Sequence, residues 1–454
     1  MPRNYKGTRD WLAEDSSLRT RVINTVREVF ELFGFEPLET PIIELKETLF
    51  GKGGDETNRL IYAFSKGPDD IGLRFDHTVP LARVVAQHLG EITIPYRRYA
   101  IGPVFRADKP QKGRYRQFWQ CDFDMVGTRS PVADAEVIAL SYTTLTRLGF
   151  TDQFVTDVFD RRALNGMAQV IGALTKEQSF AVLRGWDKLA KVPREKIGAE
   201  VEVAGVDREV FNRYTDELLA IANSSVANDR VIDCLAELFP NNQLATEGFQ
   251  GLREILRYLA AYGVPEKRVR INPTLARGLD YYTGPIFETV VEEAGVGSVT
   301  GGGRFDNLIE DLGGPSIPAT GSSFGLERLV EVLRILNIAQ PEKTPVQVFV
   351  ASFDTRSTEL VEHAVTIATE LRHSGIRTEL FMGEGTLGKQ LQVADRRGAP
   401  YAVFAGPDEM AQKAVVIKNL RTELVNGDKV KMKTANQRLV PRRELAAELR
   451  RLIA

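Results

Sequence analysis

Apolar residues Leu18, Val22, Val26, Val29, Phe30 and Phe33 recur at intervals of three and four. That spacing predicts an amphipathic helix over residues 18–33, with Asp15 or Ser16 as its cap and Gly34 as its stop. Pro37 and Pro41 then mark an extended segment, "FEPLETPII". A second helix is expected from Pro131, with Ser130 as cap, to Leu148 before Gly149, because proline suits the first helical position. Between them, residues 96–127 read as strand, turn-rich loop and strand, and on the return arm Gln120, Asp122 and Asp124 share one face by the period of two. Residues 151–265 read as mostly helical, as in "GLREILRYLAAYG". Strand-like segments follow at 269–271 and 285–291. The glycine-rich "TGGGRFDNL" reads as a turn, and "SSFGLERLVEVLRIL" as a closing helix.

Residues 336–346, "LNIAQPEKTPV", have the proline and polar content of a linker. Beyond them the pattern alternates: "VQVFVASF", "RTELFM", "YAVFAG" and "KAVVIKN" as strands, "STELVEHAVTIATELRHSG", "TLGKQLQVADRRG" and "RRELAAELRRLI" as helices. Such alternation predicts a separate α/β domain over residues 347–454 around a mixed or parallel sheet.

A chain of 454 residues is too long for one ordinary domain. Its 43% apolar and 26% charged residues fit a globular protein with a real core. The formal net charge of −2 argues neither for nor against nucleic acid, so any RNA contact must come from local basic patches. Two cysteines far apart, Cys121 and Cys234, exclude a disulfide framework and suit a reducing compartment. The four histidines, His77, His88, His363 and His373, lack metal-ligand spacing, and no structural metal is expected. "MPRNYKGTRDW" has no apolar targeting region and no run approaches a membrane span, so a cytoplasmic location without membrane contact is expected.

Neither "GKGGDETN" nor "TGGGRFDN" has the order of a phosphate-binding P-loop, and each reads as a turn or loop. Arg106, Arg114, Arg116, Arg277 and Arg328 each sit beside a strand, a glycine turn or a helix. Singly, such arginines are ordinarily surface residues. Converging, their guanidinium forks would suit a triphosphate, whose transfer chemistry needs positioning and electrostatic stabilisation more than a nucleophile. Gln120, Asp122 and Asp124, with Asp76 and Thr78 in "LRFDHTVPLAR", are singly more often caps or solvated groups. Together with Tyr281 and Tyr282 they form a set of partners for ammonium and N–H groups, the equipment for a small amino acid.

With those stretches in hand, the chain resembles the class II aminoacyl-tRNA synthetases, and among them the histidyl-tRNA synthetase family. The helix followed by "FEPLETPIIE" is similar to motif 1, "VFRADKPQKGRYRQFWQCDFD" to motif 2 and "GSSFGLERL" to motif 3. "RGLDYYTGPIFE" and "GGGRFDNLIEDLGG" resemble two signatures particular to that family, as do "RRALNG" and "LRGWDKLAKV" in the middle region. The resemblance covers nearly the whole chain. It implies an α+β catalytic domain over residues 1–335 with an antiparallel sheet and a mostly helical insertion near 165–255. It further implies a homodimer, and a C-terminal α/β domain with a mixed sheet that reads tRNA.

The implied reaction joins L-histidine to ATP, giving histidyl-adenylate and pyrophosphate, and then moves the histidyl group to the 3′ end of tRNA(His), with Mg2+ accompanying ATP. Carried over residue by residue, Arg106 holds the α-phosphate and substrate carboxylate, and Arg277 stabilises the same phosphate from the other side. Arg114 and Arg328 hold the outer phosphates, Phe118 stacks on adenine, and Asp108 stands where many class II enzymes carry a glutamate toward the adenine amine. Asp76, Thr78 and Gln120 bind the ammonium group, Asp124 and Tyr281 read the imidazole nitrogens, and Tyr282 lines the pocket. His77 is counted with this histidine-binding set, where leucine or glycine is the expected residue, and Gln111 and Lys112 with the loop that meets the tRNA acceptor end. Two rivals carry the same fold: a non-catalytic regulatory subunit of ATP phosphoribosyltransferase, and a synthetase for glycine, threonine or proline. The three arginines Arg106, Arg277 and Arg328 tell against the first, and "LDYYTG" with Gln120 and Asp124 against the second.

Overall fold

The return arm of residues 96–127 forms the centre of the largest sheet, and its alternation explains why. Cys121, Phe123 and Met125 are buried on one side, where the Phe123 ring lies 5.0 Å from Phe30 of the helix Ala13–Leu32 and 5.7 Å from Phe324. Gln120, Asp122 and Asp124 occupy the other side. The computed structural model describes residues 2–51, 58–111, 113–189, 192–276, 281–421, 423–425, 428–430 and 436–453. The chain divides into two units, Met1–Asp10 with Arg19–Gln340 and Trp11–Leu18 with Pro341–Ala454.

In the first unit eight strands form the main sheet: β1 Glu36–Pro37, β2 Tyr96–Phe105, β3 Gln117–Val126, β4 Val155–Asp160, β5 Val269–Ile271, β6 Pro285–Val290, β7 Thr300–Arg304 and β8 Ala319–Gly325. Their order is β1-β2-β3-β8-β7-β6-β4-β5. The six inner strands pair antiparallel, as expected, while the edge pairs β1–β2 and β4–β5 are parallel. The helix Pro131–Arg147 packs on this sheet and starts as its sequence predicts, with Ser130 Oγ accepting the Val132 N–H and proline in the first turn.

The expectation of a turn at "TGGGRFDNL" is overturned: Thr300–Arg304 is a central strand. Clustered glycines ordinarily mark turns, but a glycine inside a strand also marks a close backbone approach. A Cβ on Gly302 would lie 2.2 Å from the Gly321 carbonyl oxygen and 2.7 Å from the Phe287 ring, and one on Gly303 2.7 Å from the Pro285 carbonyl. The other glycine-rich stretch, "GKGGDETN", lies outside the described residues from Lys52 to Thr57.

Among the described residues, six helices from Arg161–Val170 to Gln243–Ala261 lie between β4 and β5. Asp160, Thr175, Asp207 and Asn242 cap four of them with side-chain oxygens. Trp186, 1% exposed, is held by an Nε1 bond of 3.1 Å to Thr215 Oγ1. The second unit is a five-stranded mixed sheet of β9 Val348–Val350, β10 Thr378–Leu380, β11 Tyr401–Phe404, β12 Ala414–Asn419 and β13 Gln437–Pro441, ordered β10-β9-β11-β12-β13. Three strands run parallel, and the last two pairs are antiparallel. The pattern of apolar residues had not predicted β13, an edge strand exposed at all positions but Val440. The helices Thr358–His373, Leu387–Arg397 and Leu445–Ile453 belong to the same unit.

The clash at Gly302 predicts that Gly302→Ala costs about 1–3 kcal/mol or prevents soluble folding. Gly388→Ala, with no atom nearer than 4.0 Å in the helix Leu387–Arg397, is expected to be neutral or stabilising by up to about 1 kcal/mol. Urea unfolding followed by circular dichroism checks both.

Candidate active site

Glycines opposite acids open a cavity of about 320 Å³ over the sheet's polar face. Across β3 and β8 the register pairs Asp124 with Gly321, Asp122 with Ser323 and Gln120 with Gly325, and Gly301 of β7 faces Ser323. A side chain at Gly321 would begin 2.0 Å from Asp124 Oδ1. Asp124 lies four residue steps along the strand from Gln120, about 13 Å at the usual rise, so the cavity has two chemically distinct ends.

At the Asp124 end stand Asp76, Thr78, Tyr281 and Tyr282. Asp76 Oδ1 accepts the N–H groups of Thr78 and Val79 at 3.1 and 3.0 Å, capping the helix Thr78–His88 and fixing the carboxylate at the cavity wall. The Tyr281 and Tyr282 rings meet edge to face at 5.0 Å. Burial holds both phenols above their ordinary pKa, so they stay protonated hydrogen-bond donors at neutral pH. Gln120 Nε2 donates to Ser323 Oγ at 3.0 Å, and Ser323 Oγ donates to Asp122 Oδ1. Gln120 Oε1 is buried with no hydrogen-bond partner among the described residues.

The other end is cationic and aromatic, with Arg114, Arg328, Tyr115 and Phe118 on the lining. Arg328 Nη1 donates to the Ser298 carbonyl at 2.8 Å, and Arg114 Nε lies 3.3 Å from Asp108 Oδ2. Arg106 stands between the ends. Its Nε donates to the Phe75 carbonyl at 3.2 Å, and its guanidinium lies 4.1 Å from the Phe75 ring centre and 5.1 Å from that of Phe118. Glu327 Oε2 accepts the Trp119 N–H at 2.9 Å, locking the helix Leu326–Ile335 to the start of β3.

The structure thus gathers Asp76, Thr78, Arg106, Asp108, Arg114, Phe118, Gln120, Asp124, Tyr281, Tyr282 and Arg328 around one cavity. It turns His77 away: the ring is 2% exposed, its Nε2 is 3.3 Å from the Gly102 carbonyl, and it does not line the cavity. Asp76 and Thr78 are held by the helix cap on the cavity side, and the residue between them packs beside the cavity against Gly102 of β2. His77 therefore leaves the set of pocket-lining residues. Arg116 also turns away, its Nε donating to the Asp108 carbonyl at 3.1 Å. Gln111 pairs with Arg114 in an isolated bridge and is not on the lining. Arg277 and Lys112 lie outside the described residues. Asp122, grouped with the pocket set from sequence, lines the cavity too, as do Ser323, Glu288 and Glu327, which were not assigned to it. The period of two already placed Asp122 on the right face, whereas Ser323 is revealed only by cross-strand register.

Three buried carboxyls share the floor and wall. Burial raises Asp76 and Asp122 above the ordinary carboxylate range, and pushes Asp124 up to about 7 against the opposing pull of Arg98. An unfolded aspartate titrates near 3.9. Between those values the folded chain keeps a proton on Asp124 that the unfolded chain has released. The stability tied to neutral Asp124 is therefore fully present below the unfolded value and is lost as pH rises through about 7, with a slope of at most about 1.4 kcal/mol per pH unit. Asp124→Asn, neutral throughout, is expected to flatten the fall in stability between about pH 5 and pH 7.5, as read by urea unfolding at both.

Comparison with known proteins agrees with this geometry. Residues 7–329 match the family described as Histidyl-tRNA synthetase, and residues 347–452 the family described as Anticodon binding domain. A curated histidine–tRNA ligase of Rhodopirellula baltica is 41% identical over 426 residues, covering 93% of this chain and 94% of that protein. Its counterpart from Clostridium tetani is 37% identical with the same coverage. The crystal structure of histidyl-tRNA synthetase from Nostoc sp. PCC 7120 superposes with a TM-score of 0.83 at 30% identity, over 99% of both chains. Matched over most of its length by family and by relatives, this chain belongs to the histidyl-tRNA synthetase family.

Proposed function

We propose that the protein is a histidine–tRNA ligase that activates L-histidine with ATP and transfers it to the 3′ end of tRNA(His). The observation that carries this reading is the two-ended cavity, acid and phenol at one end, arginine and aromatic at the other, with Arg106 between them. An amino acid bound at the first end directs its carboxylate toward Arg106, and the phosphates of ATP extend toward Arg114 and Arg328. Attack of that carboxylate on the α-phosphate releases pyrophosphate. Fixed guanidinium groups lower the barrier because they need no reorganisation as charge shifts to the leaving group. Phe118 offers a face for adenine and Asp108 an acceptor for its amine.

Asp76, Thr78 and Gln120 receive the ammonium group, Asp124 and Tyr281 address the two imidazole nitrogens, and Tyr282 closes the pocket. Buried hydrogen-bonding partners left unsatisfied by an apolar isostere support discrimination of about 10⁴-fold without editing. Mg2+ enters with ATP; Glu288 on the lining is an oxygen donor of the type it accepts alongside phosphate and water. Residues 1–335 act as the catalytic domain, 336–346 as the linker and 347–454 as the tRNA-reading domain, with Gln111 and Lys112 meeting the acceptor end. The protein works as a homodimer in the cytoplasm. The regulatory-subunit reading is not favoured, since a lining with Arg106, Arg114 and Arg328 has no use in sensing histidine alone.

ATP–pyrophosphate exchange with each of the twenty amino acids separately is expected to occur with histidine alone. Exchange with none, in a folded chain that binds histidine, would favour the regulatory reading. Arg277→Ala is expected to slow adenylate formation by at least about a hundredfold while calorimetry shows histidine binding retained, because its contact matters chiefly in the transition state. An equal loss of histidine affinity would remove that role.

A further inference from the structure

The acids of β3 set a charge problem that the cavity arginines do not solve. Asp122 and Asp124 are each 2% exposed. The cation that meets Asp124 comes from beside it on the same face of the sheet, from Arg98 on β2, directly opposite it in the antiparallel register. Arg98 Nη2 lies 2.6 Å from Asp124 Oδ2 and donates to the His77 carbonyl at 3.0 Å. The guanidinium is wholly buried, yet its Nε and Nη1 have no hydrogen-bond partner among the described residues. A buried guanidinium serving folding alone would be expected to satisfy its whole fork, since each unmet N–H is costly. Here one nitrogen is engaged, and it touches both sides of the amino-acid end of the cavity.

The second side is the Asp76–Thr78 turn. The His77 carbonyl accepts from Arg98 Nη2 at 3.0 Å. A base of β2 thus holds the turn that carries the two residues, Asp76 and Thr78, that face the cavity.

We propose that Arg98 is a positioning residue for amino-acid recognition: it fixes the Asp124 carboxylate as the acceptor of a ring N–H from the substrate and, through the His77 carbonyl, ties it to the Asp76–Thr78 turn. This rests on the reading of the pocket as a histidine site.

Around Asp124 stand Arg98, Asp122, Asp76 and the Tyr282 hydroxyl, and around Arg98 stand Asp122, Asp124, the His77 ring and Tyr96. The His77 ring stays neutral, its pKa pushed down to about 3 by burial and then by Arg74 and Arg98. Without Arg98, Asp124 faces Asp122 and Asp76 alone, and like charges make it hold its proton to higher pH. A protonated carboxyl then presents an O–H where the substrate N–H needs an acceptor.

The test is ATP–pyrophosphate exchange by the full chain across a range of pH, for the native protein, Arg98→Met and Arg98→Lys. Near pH 7.5, Arg98→Met is expected to raise KM for histidine at least about tenfold, leave KM for ATP within about twofold, and move the acid limb of kcat/KM for histidine up by about one pH unit. Arg98→Lys is expected to recover most of the pH limb but keep KM for histidine raised about threefold, because the shorter, more flexible ammonium is not held at the position from which Nη2 meets both partners. Equal rises in both KM values, or an unmoved limb with unchanged KM for histidine, would assign Arg98 to folding alone. If Arg98→Met does not fold, the lysine variant decides on KM for histidine against KM for ATP. Absence of histidine exchange in the native protein would instead overturn the pocket reading itself.

Discussion

Asp124 can occupy the sheet face only because Gly321, its partner across β3 and β8, has no side chain; a Cβ there would lie 2.0 Å from the carboxylate oxygen. The same need for backbone proximity recurs one strand over, where Gly302 of β7 sits against the Gly321 carbonyl and the Phe287 ring. The glycines therefore serve two layers at once. They bring three strands close enough to keep the apolar side dense around Phe123 and Phe324, and they leave the polar side hollow. A cavity floored by antiparallel strands is rigid, and rigidity is what a site needs when its chemistry depends on fixed charges rather than a moving nucleophile.

Placing carboxylates in that floor is unfavourable by itself. Desolvation raises Asp76, Asp122 and Asp124 alike, and the structure offsets it in three different ways. Asp76 accepts two backbone N–H groups at a helix start, Asp122 takes the Ser323 hydroxyl, and Asp124 depends on Arg98. Asp124 has the weakest support of the three, which leaves it poised near neutrality and leaves its acceptor capacity open for a ligand. Arg106 shows the complementary design: two aromatic faces and one carbonyl orient it without a bidentate carboxylate to absorb its charge.

The second unit has its own core, in which Val348, Val350, Tyr401, Val403, Val415 and Ile417 of the sheet meet Ala364, Ile367 and Leu371 of the helix Thr358–His373. That separation matches the division of labour expected when one part of a chain activates an amino acid and another reads a nucleic acid.

The sequence by itself determined what depends on neighbours along the chain. The helix stripes, the Ser130–Pro131 start, the strand alternation of the second unit and the one-faced row Gln120, Asp122, Asp124 are all periodic, and period follows from local backbone geometry. The contiguous motifs "RGLDYYTGPIFE" and "GSSFGLERL" carried the family in the same way. Only the tertiary structure decided what depends on contacts between distant residues. "TGGGR" is a strand because of atoms on β6 and β8, not because of its own preference for turns. His77 packs against Gly102 of β2 and not on the cavity because the flanking residues are held by a helix cap. Ser323 reaches the site and Arg98 meets Asp124 through cross-strand register, which pairs residues 201 apart for Asp122 and Ser323. No local pattern encodes such pairings, since register is set by which faces must be buried and how closely backbones can approach.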